Sequence, residues 1–158
     1  VKHLMIAKVT GVFKDYQGKF QFDDKSGKLT AISVSINVKS IDTSEKDRDK
    51  HLLGPDFFDS EKFKTIEFKS NGQIVKKGSS SEIEGDLTIH GVTKKIKLNV
   101  TFNGIGKDPW GNTKAAFEAS VKINRKDFGL TWNKNLDGGG VLVGDDVSIL
   151  IEGEAKKN

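Results

Sequence analysis

Few side chains in this chain could do chemistry, and they are scattered. The three histidines, His3, His51 and His90, lie in separate stretches. His51 has Asp47 and Asp49 nearby, and that grouping could serve acid–base chemistry or hold a metal. The same position suits a histidine that complements the carbonyl end of a short helix. Gly104-Ile105-Gly106 has the glycines of a phosphate loop, but the Lys-Ser/Thr ending and the following helix are missing. Asp145-Asp146 reads as punctuation at a strand start, and Asn99-Val100-Thr101 matches the N-glycosylation pattern in the middle of a strand. Spacing assembles no Ser–His–acid set. With no cysteine, thiol nucleophiles, disulfides and Cys-ligated metals are excluded. The expectation is no catalytic residue, no metal and no cofactor.

Charge bears on nucleic-acid binding. Lys+Arg number 26 against 22 Asp+Glu, a formal net charge of +4. Only Arg48 and Arg125 are arginines, whereas base and phosphate readout leans on arginine forks. Lys94, Lys95 and Lys97 make a Lys-rich hairpin without stacking aromatics on the Lys95 and Lys97 face, because Ile96 and Leu98 alternate to the other side. They read as a solvated face, and no nucleic-acid partner is expected.

The elements that carry these residues are strands. The 158 residues, 35% hydrophobic and 30% charged, fit one domain over 1–158, and no apolar run approaches the roughly 20 residues of a membrane-crossing helix. From Ala31 to Lys39 apolar residues fall on even positions and polar ones on odd, which predicts a strand with one dry face. Ile83, Leu87 and Ile89 repeat the pattern, as do Ile96 to Phe102, Phe117 to Ile123, and Val147 to Ile151. Thr65–Ser70 and Gln73–Val75 add shorter strands around Asn71-Gly72. His90-Gly91 and Asp24–Gly27 read as hairpin turns, and Asn103–Asn112 and Asn133–Gly144 as loops at the barrel ends. Between Val9 and Asp23 the parity changes, so a bulge or bend is predicted near Lys14–Gly18.

From Thr43 to Lys64 the alternation stops. Thr43 or Ser44 can cap a short helix that Gly54-Pro55 ends, and a further turn spans Asp56–Phe63. This insert holds seven acidic and six basic residues between Lys39 and Lys64, with Leu52, Leu53, Phe57, Phe58 and Phe63 as its apolar side. About eight one-sided antiparallel strands make a barrel that either packs solid or encloses one ligand. Ten Phe and two Trp, with small Gly85 and Ala119 among the inward positions, lean toward a cavity.

Longer blocks carry a family resemblance. Val1-Lys2-His3-Leu4-Met5-Ile6, Val9-Thr10-Gly11, Ser40-Ile41-Asp42-Thr43 and Arg48-Asp49-Lys50-His51-Leu52 resemble the YceI-like family of bacterial lipid-binding proteins. So do Pro55-Asp56-Phe57-Phe58-Asp59, Gly85 through Lys94, and Ile123 through Leu130, in order along nearly the whole chain. The resemblance implies an all-β, elongated, eight-stranded antiparallel lipocalin-like barrel with the helical insert at about 43–63 over one mouth, and a first strand that begins upstream of Val1. It implies binding and transport or storage of a long-chain isoprenoid lipid, a polyprenol or isoprenoid quinone, by a protein that is not an enzyme. Periplasmic or secreted placement is implied, with the cytoplasm as the alternative, along with transient contact with a membrane surface and a homodimeric form in some members. The competing reading is a solid-cored, stress-related interaction module.

On the carrier reading the inner wall comprises Phe13, Phe20, Phe22, Ile32, Val34, Ile36, Val38, Phe68, Leu87, Ile89, Leu98, Phe102, Phe117, Val121 and Ile149. Leu53, Phe57, Phe58 and Phe63 form the lid, and Arg125 or Trp132 meets a polar head group near a mouth. Strands of about ten residues at about 3.3 Å each span roughly 33 Å, enough for an extended prenyl chain. At about 0.8 kcal/mol per buried CH₂, ten carbons supply about 8 kcal/mol gross, so tail length should dominate affinity.

Overall fold

The computed structural model describes residues 1–4, 6–23, 28–77, 80–137 and 139–156, with the backbone alone for 22, 23, 28–30 and 72–77. In chain order the strands are β1 (Lys2–His3), β2 (Ala7–Lys8), β3 (Val12–Phe13), β4 (Tyr16–Asp23), β5 (Lys28–Asn37), β6 (Ile41–Asp42), β7 (Thr65–Lys77), β8 (Ser80–Ile89), β9 (Val92–Lys107), β10 (Thr113–Asn124) and β11 (Asp146–Lys156). One α-helix, α1 (Lys46–Leu53), and two 3-10 turns, Val38–Ser40 and Arg125–Phe128, complete the described elements.

Seven strands form one antiparallel sheet in the order β11-β10-β9-β8-β7-β5-β4, with β1-β2 and β3-β6 as small separate pairs. The sheet curls until β11 approaches β4. There the Phe20 ring of β4 lies 4.6 Å from that of Phe117 on β10. No ladder joins β11 to β4 among the described residues, so the barrel is nearly closed. The expected antiparallel barrel is thus observed, with seven strands in its wall among the described residues.

Curvature comes from register shifts at Gln21/Phe22, Ser70/Ile74 and Ala116/Phe117. The second of these merges the two short strands expected around Asn71-Gly72 into the single strand β7. The predicted break between Val9 and Asp23 falls at Lys14-Asp15, between β3 and β4. His90 and Gly91 both have positive φ, 51° and 73°, as a tight two-residue hairpin turn between Ile89 and Val92 requires. The turn expected at Asp24–Gly27 lies outside the described residues.

The two ends of the barrel differ. At one end, called here the helix end, lie α1, both 3-10 turns and the His90-Gly91 turn. At the other, the hairpin end, β4–β5, β7–β8 and β9–β10 turn back. Side chains from the helix end and the middle of the sheet form the buried core: Ile32, Val38, Ile66, Phe68, Ile83, Leu87, Ile89, Leu98, Val100, Ala119, Phe128 and Leu130. Each fully buried large side chain, such as Phe128 or Ile83, contributes about 1.5–3 kcal/mol.

Three local expectations are corrected. The N-cap of α1 is Glu45, whose carboxylate accepts from the Asp47 and Arg48 amides. Ser44 has a φ of 62°, unlike the extended backbone of an N-cap, and the Thr43 hydroxyl is engaged by Asp49 and Arg48. Val38 does not continue β5: the Asn37 side chain accepts from the Lys39 amide and caps a 3-10 turn that tucks Val38 into the core. Asn103 to Lys107 is strand and not loop, leaving only 108–112 to turn.

Candidate ligand-binding interior

Residues that pair directly across antiparallel strands share a face, so the ladders show which side chains point inward. Along β11 the inward residues Val147, Ile149, Ile151, Gly153 and Ala155 alternate with exposed ones, and none of the five is fully buried. Phe117 and Val121 on β10 and Val34 and Ile36 on β5 are likewise half-buried. The apolar wall on both sides of the β4–β11 gap is therefore only partly covered.

The residues expected from parity to line the interior divide into two groups. Ile32, Val38, Phe68, Leu87, Ile89 and Leu98 are covered by one another and by Phe128 and Leu130, and belong to the packed core. Phe20, Val34, Ile36, Phe117, Val121 and Ile149 are the inner wall that remains partly open. Phe102 faces inward opposite Phe117 but is 48% exposed, because it stands at the hairpin end. Only the backbone of Phe22 is described, pairing with Leu29. The space beside Gly85, expected to widen the cavity, is filled by Phe68: a Cβ there would lie 2.4 Å from the ring.

The expected lid is a packed plug. Phe58 meets Phe13 edge-on at 5.9 Å, and Phe57, buried, lies 5.2 Å from Trp132. Phe63 covers the hairpin turn, 4.5 Å from His90, and Leu53 packs against the core. His51 stands edge-on to both Phe57 and Trp132, with Nε2 2.9 Å from the Asp56 carboxylate. The aromatic and carboxylate contacts fix this ring within the plug. Trp132 is thus an aromatic neighbour of the plug.

Arg125 is not available to a head group. It is 3% exposed, and its guanidinium donates to the carbonyls of Leu130, Trp132, Val143 and Gly144 and approaches Asp145 at 3.4 Å. Burial lowers the pKa of this group and the Asp145 charge opposes that shift. Its role is to staple the 125–145 loop shut over the helix end. Hydropathy gives no sign of this, since the acceptors are backbone carbonyls, two of them 18 and 19 residues along the chain.

Among the described residues, no three His, Asp or Glu side chains converge as a metal site. No helix is long and apolar enough to cross a membrane. Cavities among the described residues include one of about 370 Å³ along the β9–β10 hairpin beside Gly104, Gly106, Lys114, Ala116 and Glu154, and one of about 240 Å³ beside Lys19, Ala31, Ile32 and Lys69. Sequence reasoning missed Ile105, which a β9 bulge turns inward opposite Ala115, and the exposed Trp110.

Together these features define an antiparallel β-barrel protein, plugged at one end, with an apolar and partly open inside. Residues 1–155 match the model of the YceI-like domain, and the chain belongs to that family. It is 40% identical over 157 residues to Protein YceI of Shigella sonnei, covering 99% of this chain and 80% of that one. It is 39% identical over 162 residues to a UPF0312 protein of Pseudomonas fluorescens, covering 99% and 80%. The solved YceI protein of Campylobacter jejuni superposes with a TM-score of 0.85 at 33% identity, covering 100% of this chain and 90% of that one. Burkholderia cenocepacia BcnA superposes with a TM-score of 0.79 at 25% identity, covering 96% and 90%.

Proposed function

We propose that the barrel binds a long-chain isoprenoid lipid, of the polyprenol or isoprenoid quinone type, and carries or stores it without catalysing a reaction. The observation that carries this reading is the inner wall of β10 and β11. Phe117, Val121, Ile149 and Ile151 point inward, yet none is fully covered by protein. Apolar surface of this kind is stabilised by an apolar occupant at about 25 cal/mol per Å² removed from water. A plug at the helix end leaves the hairpin end as the side from which a chain would enter lengthwise. The family resemblance adds the ligand class.

The solid-barrel alternative draws on one specific contact, Phe68 filling the space at Gly85. That contact belongs to the β7–β8 side and does not cover the β10–β11 wall, which remains half-buried. Equilibrium binding of a series of prenyl alcohols tests the proposal. Affinity should rise with each isoprene unit until the wall is covered, and Ile149→Asp should abolish the rise. Binding that is absent, or independent of chain length, overturns the carrier reading.

A further inference from the structure

The hairpin end carries a feature that ligand enclosure does not need. In β9, Phe102 pairs with Phe117 and Gly104 with Ala116, so Asn103 is an extra residue. This bulge reverses the parity of β9 and brings Ile105 to the inner face opposite Ala115, which itself pairs with Ala155. The inner side of the β9–β10 hairpin is thereby apolar at its tip. Beyond it, the turn from Asp108 to Asn112 holds Trp110 away from the protein, 83% exposed, while Ile105 is 67% exposed.

The presentation of Trp110 is fixed. The Asp108 carboxylate accepts from the Trp110 amide at 3.0 Å, the Asn112 amide at 2.9 Å and the Asn112 side chain at 2.8 Å. These bonds, led by that of the Asn112 side chain, hold the Asp108 carboxyl below the usual carboxylate range. On the hairpin and its neighbour, Lys107, Lys114 and Lys156 exceed Asp108 and Glu154 by one positive charge. Glu154 is paired with Lys114, whereas Lys107 and Lys156, both exposed, join no ion pair among the described residues.

We propose that the β9–β10 hairpin end docks the barrel, mouth first, on an anionic phospholipid bilayer. Tryptophan is suited to the headgroup boundary, where its ring is apolar and its N–H remains wet. Ile105 and Phe102 enter beside it, and Lys107 and Lys156 face the lipid phosphates. At the helix end Phe57, Phe58 and Trp132 pack within the plug, and the most exposed apolar side chains there among the described residues are Ile6, 89%, and Tyr16, 61%. Docking rests on the carrier reading only in taking the hairpin end as the ligand's entrance.

Vesicle flotation of the full chain tests it, using phosphatidylcholine with and without phosphatidylglycerol. The protein should float with the anionic vesicles, with a blue shift of Trp110 emission. The double variant Trp110→Ser, Ile105→Ser, its fold checked by circular dichroism, should lose at least about tenfold in partitioning. Lys107→Gln and Lys156→Gln should each lose about fivefold. Ile6→Ser should float like the parent. Failure of the parent to float, or an equal loss in Ile6→Ser, overturns the docking surface. Co-purified lipid in each sample separates the two claims: lipid without flotation overturns docking alone, and flotation without lipid overturns the carrier alone.

Discussion

Replacing Gly85 by alanine tests the packing of the barrel's closed half. A Cβ at this position would lie 2.4 and 2.5 Å from two atoms of the Phe68 ring and 2.7 Å from the Lys69 carbonyl oxygen. The ring cannot swing aside, because Phe68 is buried within the core cluster, and the carbonyl belongs to β7, which pairs with β8 through Ser70 and Gly85. Overpacking of this kind costs about 1–3 kcal/mol, partly offset by up to about 1 kcal/mol from the stiffer unfolded chain. A net loss of about 1–2 kcal/mol corresponds to roughly 2–8 °C in Tm for a chain of this size. Urea denaturation of Gly85→Ala, Phe68→Leu and the double variant forms a cycle. The Gly85→Ala penalty should shrink by about 1 kcal/mol when the Phe68 ring is replaced by the smaller leucine side chain, the remainder being due to the Lys69 carbonyl. A neutral Gly85→Ala, or a penalty unchanged in the Phe68→Leu background, would refute the claim that the ring fills this space.

Arg125→Met should cost about 3 kcal/mol in urea denaturation, because it strands buried carbonyls that the guanidinium now satisfies; a loss below about 0.5 kcal/mol would mean that the 125–145 staple is unimportant. Phe57→Ala should cost about 3 kcal/mol and shift Trp132 emission to the red, since it removes a plug side chain and not a mobile lid; unchanged stability would restore the lid. The hydrogen bond from Lys14, then the Ser44 amide and the Lys14 charge, hold the Asp42 carboxyl below its usual range. Stability from this group is therefore present above that range and declines as pH falls through it toward the lowered value. Asp42→Asn should flatten this part of the acid unfolding curve, and an identical curve would contradict it.

The alternating strands are legible in the sequence because period two survives wherever one face is dry, as in β8, β10 and β11. Bulges are less so. The extra residue at Asn103 is set by the bending of a long hairpin, and no local sequence signal marks it, so parity alone does not place Ile105 on the inner face. Capping chemistry misleads for a similar reason: Thr43 and Ser44 are good caps by type, but the claim of Asp49 and Arg48 on the Thr43 hydroxyl and the turn at Ser44 pass that role to Glu45. Parity identifies inward residues without separating packed core from open wall, because Phe68 and Phe117 have the same pattern and differ only in what crosses the barrel to meet them. Arg125 and the aromatic contacts of Trp132 join segments far apart in the chain, so neither is visible before the loops are placed.

The most direct measurement of the central claim is organic extraction of gently purified protein followed by mass spectrometry. The account predicts a prenyl lipid in near-stoichiometric amount, depleted in Ile149→Asp and retained in Arg48→Lys. An extract with no apolar ligand, from protein that also fails to take up an added prenyl chain, would contradict it.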